Sequence, residues 1–312
     1  VDDSTIGSTA DGDWDTIVTT LVTDMSNLFK DEATFNEDIS SWDTSNVTNM
    51  AEMFMRASSF NQNIGNWDVS NVTNMTGMFN YSLDAGYNRA VASAFNNGGI
   101  NSINNWNVSN VTSMNSMFSY NVVFNQPLNN WDVSSLTNMG YMFFQAVIFD
   151  QPLNNWDTSS VTTMEFMFGK KGNFSVDGAM DFNQDIVDWD VGKVQNFRAM
   201  FRNSLFNQDL SDWDVSSATN LAQMFDQAKQ FNNGGVSLNC WDTSNVTDFG
   251  YVFYLTLYNQ DISNWCIPSV AAAPTGFYSV ALSGNAAFQP SWGTACTGYS
   301  VVISFNDVTK TF

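Results

Sequence analysis

One block of about 25 residues, copied along the chain, constrains this sequence more than any other feature. Residues 35–54 read Phe-Asn-Glu-Asp-Ile-Ser-Ser-Trp-Asp-Thr-Ser-Asn-Val-Thr-Asn-Met-Ala-Glu-Met-Phe. The block returns as residues 60–79 and then, with variation, down the chain. Tryptophans mark its register at Trp42, Trp67, Trp106, Trp131, Trp156, Trp189, Trp213, Trp241 and Trp265; the commonest interval is 25 residues. A degenerate first unit starts at Trp14 and rejoins the pattern at Met25 and Phe29, which gives about nine units. A unit this short cannot bury an aromatic face alone, whereas stacked neighbours can.

The repeat also accounts for the composition. The 26 Phe, 15 Met and 11 Trp fall largely on one pattern, as in Met50/Met53/Phe54, Met75/Met78/Phe79 and Met114/Met117/Phe118. This is a core motif in repeated copies and not a cofactor box. Within a unit, Val47, Met50, Met53 and Phe54 have the spacing of one helical face, and Asp43-Thr44-Ser45-Asn46 offers N-cap chemistry. The spacing predicts a two-turn helix over 48–54. The stretch around Ile39 to Thr44 reads as a brief strand.

The expected architecture is an α/β repeat solenoid of leucine-rich-repeat type, with one short strand and one short helix per unit. A β-solenoid is the alternative. Residues 1–29 form a degenerate N-terminal capping unit, 30–265 the tandem repeats, and 266–312 a C-terminal disulfide cap with a terminal strand at 299–305.

Several function classes are excluded by arithmetic. The 312 residues carry 31 acidic and 10 basic side chains, a formal charge of -21. A nucleic-acid binder needs a basic stripe, so that class is out. The chain has no His, which removes Ser-His-Asp and Cys-His catalysis. No apolar run is long enough for a membrane span. The start at Val1, without Met or an apolar signal core, reads as a processed or trimmed chain.

The units "FNQDLSDWDVSSATNLAQMF" and "FNQNIGNWDVSNVTNMTGMF" resemble the 26-residue repeat of bacterial surface proteins, shared with mycoplasma lipoproteins and akin to BspA-type leucine-rich-repeat antigens. The ending from Asn264 to Cys296 is similar to the cap after such arrays. The resemblance implies secretion and cell-surface display, with adhesion to an extracellular protein or glycan, or self-association. It brings no catalytic residues. The alternative is an architectural subunit of an extracellular filament or surface layer without a specific ligand. The chain departs from the pattern at Gly192-Lys193-Val194-Gln195, and at Asn107, which replaces the Asp after Trp.

Four sets of residues are candidates for chemistry. Insertions leave after the Met-Phe pair, at 80–94 and 169–181, or between Phe and Trp; all avoid the Trp-to-Met run. Loops of this kind often carry binding, which singles out Tyr81, Tyr87, Arg89, Lys170 and Lys171. The second set is the Asp after Trp: Asp43, Asp68, Asp132, Asp157, Asp190, Asp214 and Asp242. Each either turns back in an Asx-turn, the favoured reading, or joins its neighbours in coordinating Ca²⁺.

The third set is the Asn-Ser-Thr rows, which form a ladder between units and contain Asn-x-Ser/Thr sequons at Asn46, Asn71, Asn80, Asn107, Asn110, Asn173 and Asn245. Such a hydroxyl face also suits glycans or ordered water. The fourth set is Cys240, Cys266 and Cys296. Adjacent strands offset by two residues hold Cys240 and Cys266 roughly 8 Å apart. That is too far for a disulfide, so Cys266–Cys296 is the better pair.

Overall fold

The computed structural model describes residues 3, 5, 14–84, 86, 90–172 and 178–294. Successive units lie in parallel and touch through single-residue bridges. The bridges run Asp24–Asn49–Asn74–Ser113–Asn138–Thr163–Asn196–Asn220–Asp248. Insertions leave this register intact: Asn74 pairs with Ser113 although a long insert separates them.

The predicted helix does not form. Over residues 50–57 the chain makes three overlapping turns: Met53 N donates to Met50 O (3.3 Å), Met55 N to Glu52 O (3.0 Å) and Ala57 N to Phe54 O (3.0 Å). Alternate amides point out of the unit. Met50, Glu52, Phe54 and Arg56 donate to the carbonyls of Asn74, Thr76, Met78 and Asn80 at 2.8 to 3.0 Å. An α-helix needs each of these amides for its own i−4 carbonyl. Here every second one is spent on the next unit. Successive turns bring Val47, Met50, Met53 and Phe54 to one side just as a helix would, which is why the sequence pattern misled.

These turns place residues in the left-handed region at two positions four apart in most units, as at Glu52 (φ 56°) and Arg56 (φ 60°), Tyr141 (58°) and Gln145 (62°), or Gln223 (60°) and Gln227 (62°). Gly77 (φ 62°) occupies the first position in its unit. No Val, Ile or Thr is found at these positions among the described residues, because a branched Cβ clashes most there. The expected strand is reduced to a bridge. Among the described residues the regular elements are β1 (Cys266–Ile267), α1 (Val280–Ser283) and β2 (Ser291–Trp292), with short 3-10 turns at Trp14–Thr16, Asn97–Gly99, Asn101–Asn105, Asn233–Gly235 and Ala286–Phe288.

The interior is a set of aromatic files. Trp42 and Trp67 stack at 6.4 Å and 6°, Trp106 and Trp131 at 6.2 Å, Trp241 and Trp265 at 5.8 Å. Within a unit Phe54 lies 3.9 Å from Phe60, and across units it lies 5.5 Å from Phe79. These side chains are buried, each contributing roughly 1.5–3 kcal/mol of apolar transfer. Offset pairs add about 0.5–1.5 kcal/mol.

Both ends of the array are closed by different chemistry. At the N-terminal end the Asp3 carboxylate accepts Thr23 N (2.6 Å), Thr23 Oγ1 (2.7 Å) and Asp24 N (3.0 Å). It stands where the Thr carbonyl of a preceding unit would be. At the other end Tyr251 N and Phe253 N donate to Thr275 O and Phe277 O, and Phe277 packs edge-on against Phe253, Trp265 and Trp292. β1 and β2 pair in parallel, and Ser279 caps α1 by accepting Leu282 N. Cys296 and the expected strand at 299–305 lie outside the described residues.

Candidate docking faces

The inserts are the first expectation, and of their five candidate side chains the structure buries two. Tyr81 is fully buried, its hydroxyl directed at Ala57 O (3.4 Å), and burial pushes its pKa up. Lys170 is 2% exposed and donates to Gly178 O at 2.7 Å, closing its own insert. Neither side chain can meet a partner. Lys171 donates to Gly86 O and so ties the second insert to the first. Beneath them Tyr120 is buried enough to raise its pKa to about 12. Tyr87 and Arg89 lie outside the described residues. The Lys171–Gly86 contact thus braces one insert against the other.

The insert-free run from Trp to Met presents a different surface. Three files of side chains recur down the units, and every donor in them that forms a bond forms it inward. In the first file each Asp uses Oδ1 to accept the amide two residues on: Asp43 from Ser45 (3.1 Å), Asp68 from Ser70 (3.0 Å), Asp132 from Ser134 (3.1 Å) and Asp157 from Ser159 (3.0 Å). Asp190, Asp214 and Asp242 accept from Gly192, Ser216 and Ser244, each at 3.0 Å. Hydrogen bonds from the Ser side chain and amide hold the Asp43, Asp68 and Asp157 carboxyls below the ordinary carboxylate range. The Asx-turn is thus present at all seven of these Asp residues. As to Ca²⁺, no group of three or more acidic, His or Cys side chains able to hold a metal occurs among the described residues.

In the second file Asn amides donate to the preceding unit: Asn46 to Thr20 O (2.9 Å), Asn71 to Ser45 O (2.7 Å), Asn110 to Ser70 O (2.7 Å) and Asn245 to Ser216 O (2.8 Å). The Nδ2 atoms of these four sequons are committed to the ladder. In the third file the hydroxyls of Thr48, Thr73, Thr112, Thr137 and Thr162 each donate to the carbonyl of the preceding file member at 3.1 to 3.4 Å. Thr219 and Thr247 do the same, the former to Gln195 O. All these Thr and Asp side chains are exposed. What they turn outward is mostly lone pairs, Asp Oδ2, Asn Oδ1 and Thr Oγ1, together with the second N–H of each Asn Nδ2.

This one-sided hydrogen-bond polarity was missed in the sequence. The Thr and Asn rows were visible, but the direction of their bonds depends on which neighbour carbonyl lies within reach.

Elsewhere a shallow polar cleft of about 320 Å³ is lined by Pro152, Asn154, Gln184, Asp185, Val187 and Asp188. Asp185 spends Oδ1 on Val187 N at 3.0 Å. Cys240 is an exposed free thiol, and Cys266 lies nearly buried in β1. Among the described residues no helix is long and apolar enough to cross a membrane.

A family model described as "Mycoplasma protein of unknown function, DUF285" matches three consecutive stretches, residues 4–91, 85–179 and 171–289. No curated protein and no solved structure matches the chain.

Proposed function

The chain belongs to this mycoplasma repeat family, and from that premise we propose that it is a secreted or cell-surface binding module whose docking surface is the insert-free Asp/Asn/Thr face. The stacked units make a solenoid, akin to BspA-type leucine-rich-repeat proteins in their parallel register, with turns in place of helices. The observation that supports this reading is the uninterrupted Thr file. From Thr48 to Thr162 it repeats one exposed hydroxyl per unit, and all inserts leave elsewhere. A partner meets many equal contacts, each weak alone and strong together. The repetition of equal contacts, in place of one distinct cluster, favours binding over catalysis. Cys266 and Cys296 are proposed to close the C-terminal cap.

The test is an array of extracellular glycans and matrix proteins probed with the wild-type chain and with Thr112→Lys/Thr137→Lys. Signals lost in the double variant, with unchanged aromatic circular dichroism, support the face. Signals unaffected by it, or none at all together with concentration-dependent self-association in light scattering, favour the architectural alternative.

A further inference from the structure

The pairing that joins units inside the array stays open at its two ends. Within the array the amides of Met50, Glu52, Phe54 and Arg56 reach forward to the next unit, and the carbonyls just before them face back. A trans peptide holds its C=O and N–H on opposite sides, so one direction fixes the other. No cis peptide occurs among the described residues.

In the first unit Met25, Asn27, Phe29 and Asp31 donate forward to Asn49, Ala51, Met53 and Met55, each at 2.9 Å. The carbonyls of Asp24, Ser26, Leu28 and Lys30 therefore face out of the N-terminal end, and among the described residues no hydrogen bond reaches them. At the other end Thr275 and Phe277 accept Tyr251 N (3.2 Å) and Phe253 N (3.0 Å). The amides of Gly276 and Tyr278 therefore face outward, and among the described residues they donate to no acceptor. Gly276 (φ 69°) follows Tyr251 (φ 61°) by 25 residues and repeats its left-handed turn. One end is thus a row of acceptors and the other a pair of donors, in the register that joins units within the chain.

The apolar files are open at the same two ends. Inside the array Trp42, Met53 and Phe60 are buried. Trp14, Leu28 and Phe35 at the first end, and Tyr278, Phe288 and Trp292 at the last, pack on the core yet are only partly buried. Open backbone groups beside accessible apolar side chains are what another chain pairs with.

We infer that each end takes the opposite end of a second copy of this chain, stacked head to tail. Gly276 N then meets Ser26 O of the next copy, Tyr278 N meets its Leu28 O, and the apolar surfaces of both ends are buried together. A foreign strand matches one end and leaves the other open, whereas a copy matches both. Pro274 has no N–H and Val280 belongs to α1, so the two central bonds of the usual four remain. The contact is therefore weaker than the one between units, and reversible. Being heterologous, it repeats from copy to copy and grows a filament. It lies at the ends of the array and so stands or falls apart from the lateral docking face proposed above.

The test combines sedimentation velocity of the 312-residue chain over a concentration series with hydrogen–deuterium exchange of dilute and concentrated samples. Mean mass is expected to rise without a plateau, and more steeply in added salt, which screens repulsion between copies of charge -21. The peptide carrying Gly276 and Tyr278 should exchange more slowly in the concentrated sample. Leu28→Asp puts a carboxylate where stacking buries it, and alone this variant should associate at least about tenfold more weakly. A labelled trace of it should still sediment with wild-type oligomers, because its C-terminal end is intact. Thr112→Lys/Thr137→Lys should assemble at least as well as wild type.

A monomer persisting to about 1 mM overturns the inference. Assembly with unchanged exchange at Gly276 and Tyr278 does so too. So does a Leu28→Asp chain of native aromatic circular dichroism that stays out of wild-type oligomers. If that variant does not fold, the exchange measurement on wild type decides alone. Loss of assembly in the Thr→Lys pair moves the contact to the lateral face and overturns the end-to-end reading.

Discussion

The indole Nε1 of Trp131 donates to the carbonyl of Ile103 at 2.8 Å, 28 residues earlier, and the same carbonyl accepts the backbone amide of Trp106 at 3.1 Å. The relationship recurs along the array, from Trp67 and Ile39 (3.0 Å) to Trp265 and Leu238 (2.7 Å). One carbonyl thus closes the turn of its own unit and anchors the Trp of the next. The aromatic file is registered by hydrogen bonds as well as by packing.

Trp131→Phe should therefore be costly even though it remains aromatic. It removes a buried donor and leaves a small void, while Ile103 O keeps its other partner. The expected loss is about 2–3 kcal/mol. Urea unfolding followed by near-ultraviolet circular dichroism measures it; a change below about 0.5 kcal/mol contradicts the anchoring role.

The left-handed positions give a second prediction, isolated from packing by using one site. Gln223 has φ 60° and is half-buried. Gln223→Gly should be neutral or stabilising, and Gln223→Val should cost more than about 1 kcal/mol, because only the latter adds a branched Cβ to a left-handed residue. Gly77→Ala should also destabilise, since its new Cβ meets Glu52 Cγ at 3.3 Å as well as the unfavourable φ. Thermal midpoints of the three variants decide the matter.

The pH dependence follows from the Asx-turns. Asp43, Asp68 and Asp157 have folded-state pKa values below the unfolded one, near 3.9. Their contribution is thus full above that value and is lost as pH falls through the folded values. Ser45→Ala removes the main cause at Asp43 and should move its titration up toward the ordinary range, read by carboxyl-carbon NMR. An unchanged titration means that the Ser hydroxyl is not the source.

Asp226 has the opposite sign. Burial raises its pKa despite Arg202 at 2.8 Å, and its Oδ1 has no hydrogen-bond partner. Lowering the pH from the folded toward the unfolded value should stabilise this site, and Asp226→Asn should abolish that increment in a pH series of unfolding midpoints.

Cysteine labelling tests the proposed cap. In unreduced, denatured protein Cys240 alone should take up maleimide, and Cys266 and Cys296 should react only after reduction. Labelling of Cys266 without reductant removes the disulfide proposal.

The sequence by itself determined the unit, its register and its core: Trp42, Met50, Phe54 and Phe60 repeat at fixed intervals, and burial of large apolar side chains is a near-local demand. It also disclosed the Asx chemistry after each Trp, because Asp43 and Ser45 are two residues apart. Only the tertiary structure decided what lies between units. Whether the Glu52 amide turns inward to a helix or outward to Thr76 O, and whether Lys170 faces solvent or Gly178 O, depends on a neighbour's position that no local pattern encodes. The same holds for the outer Thr file. The Thr48 hydroxyl points its proton at Thr23 O because stacking brings that carbonyl within 3.2 Å, and this contact fixes what the outer surface can offer a partner.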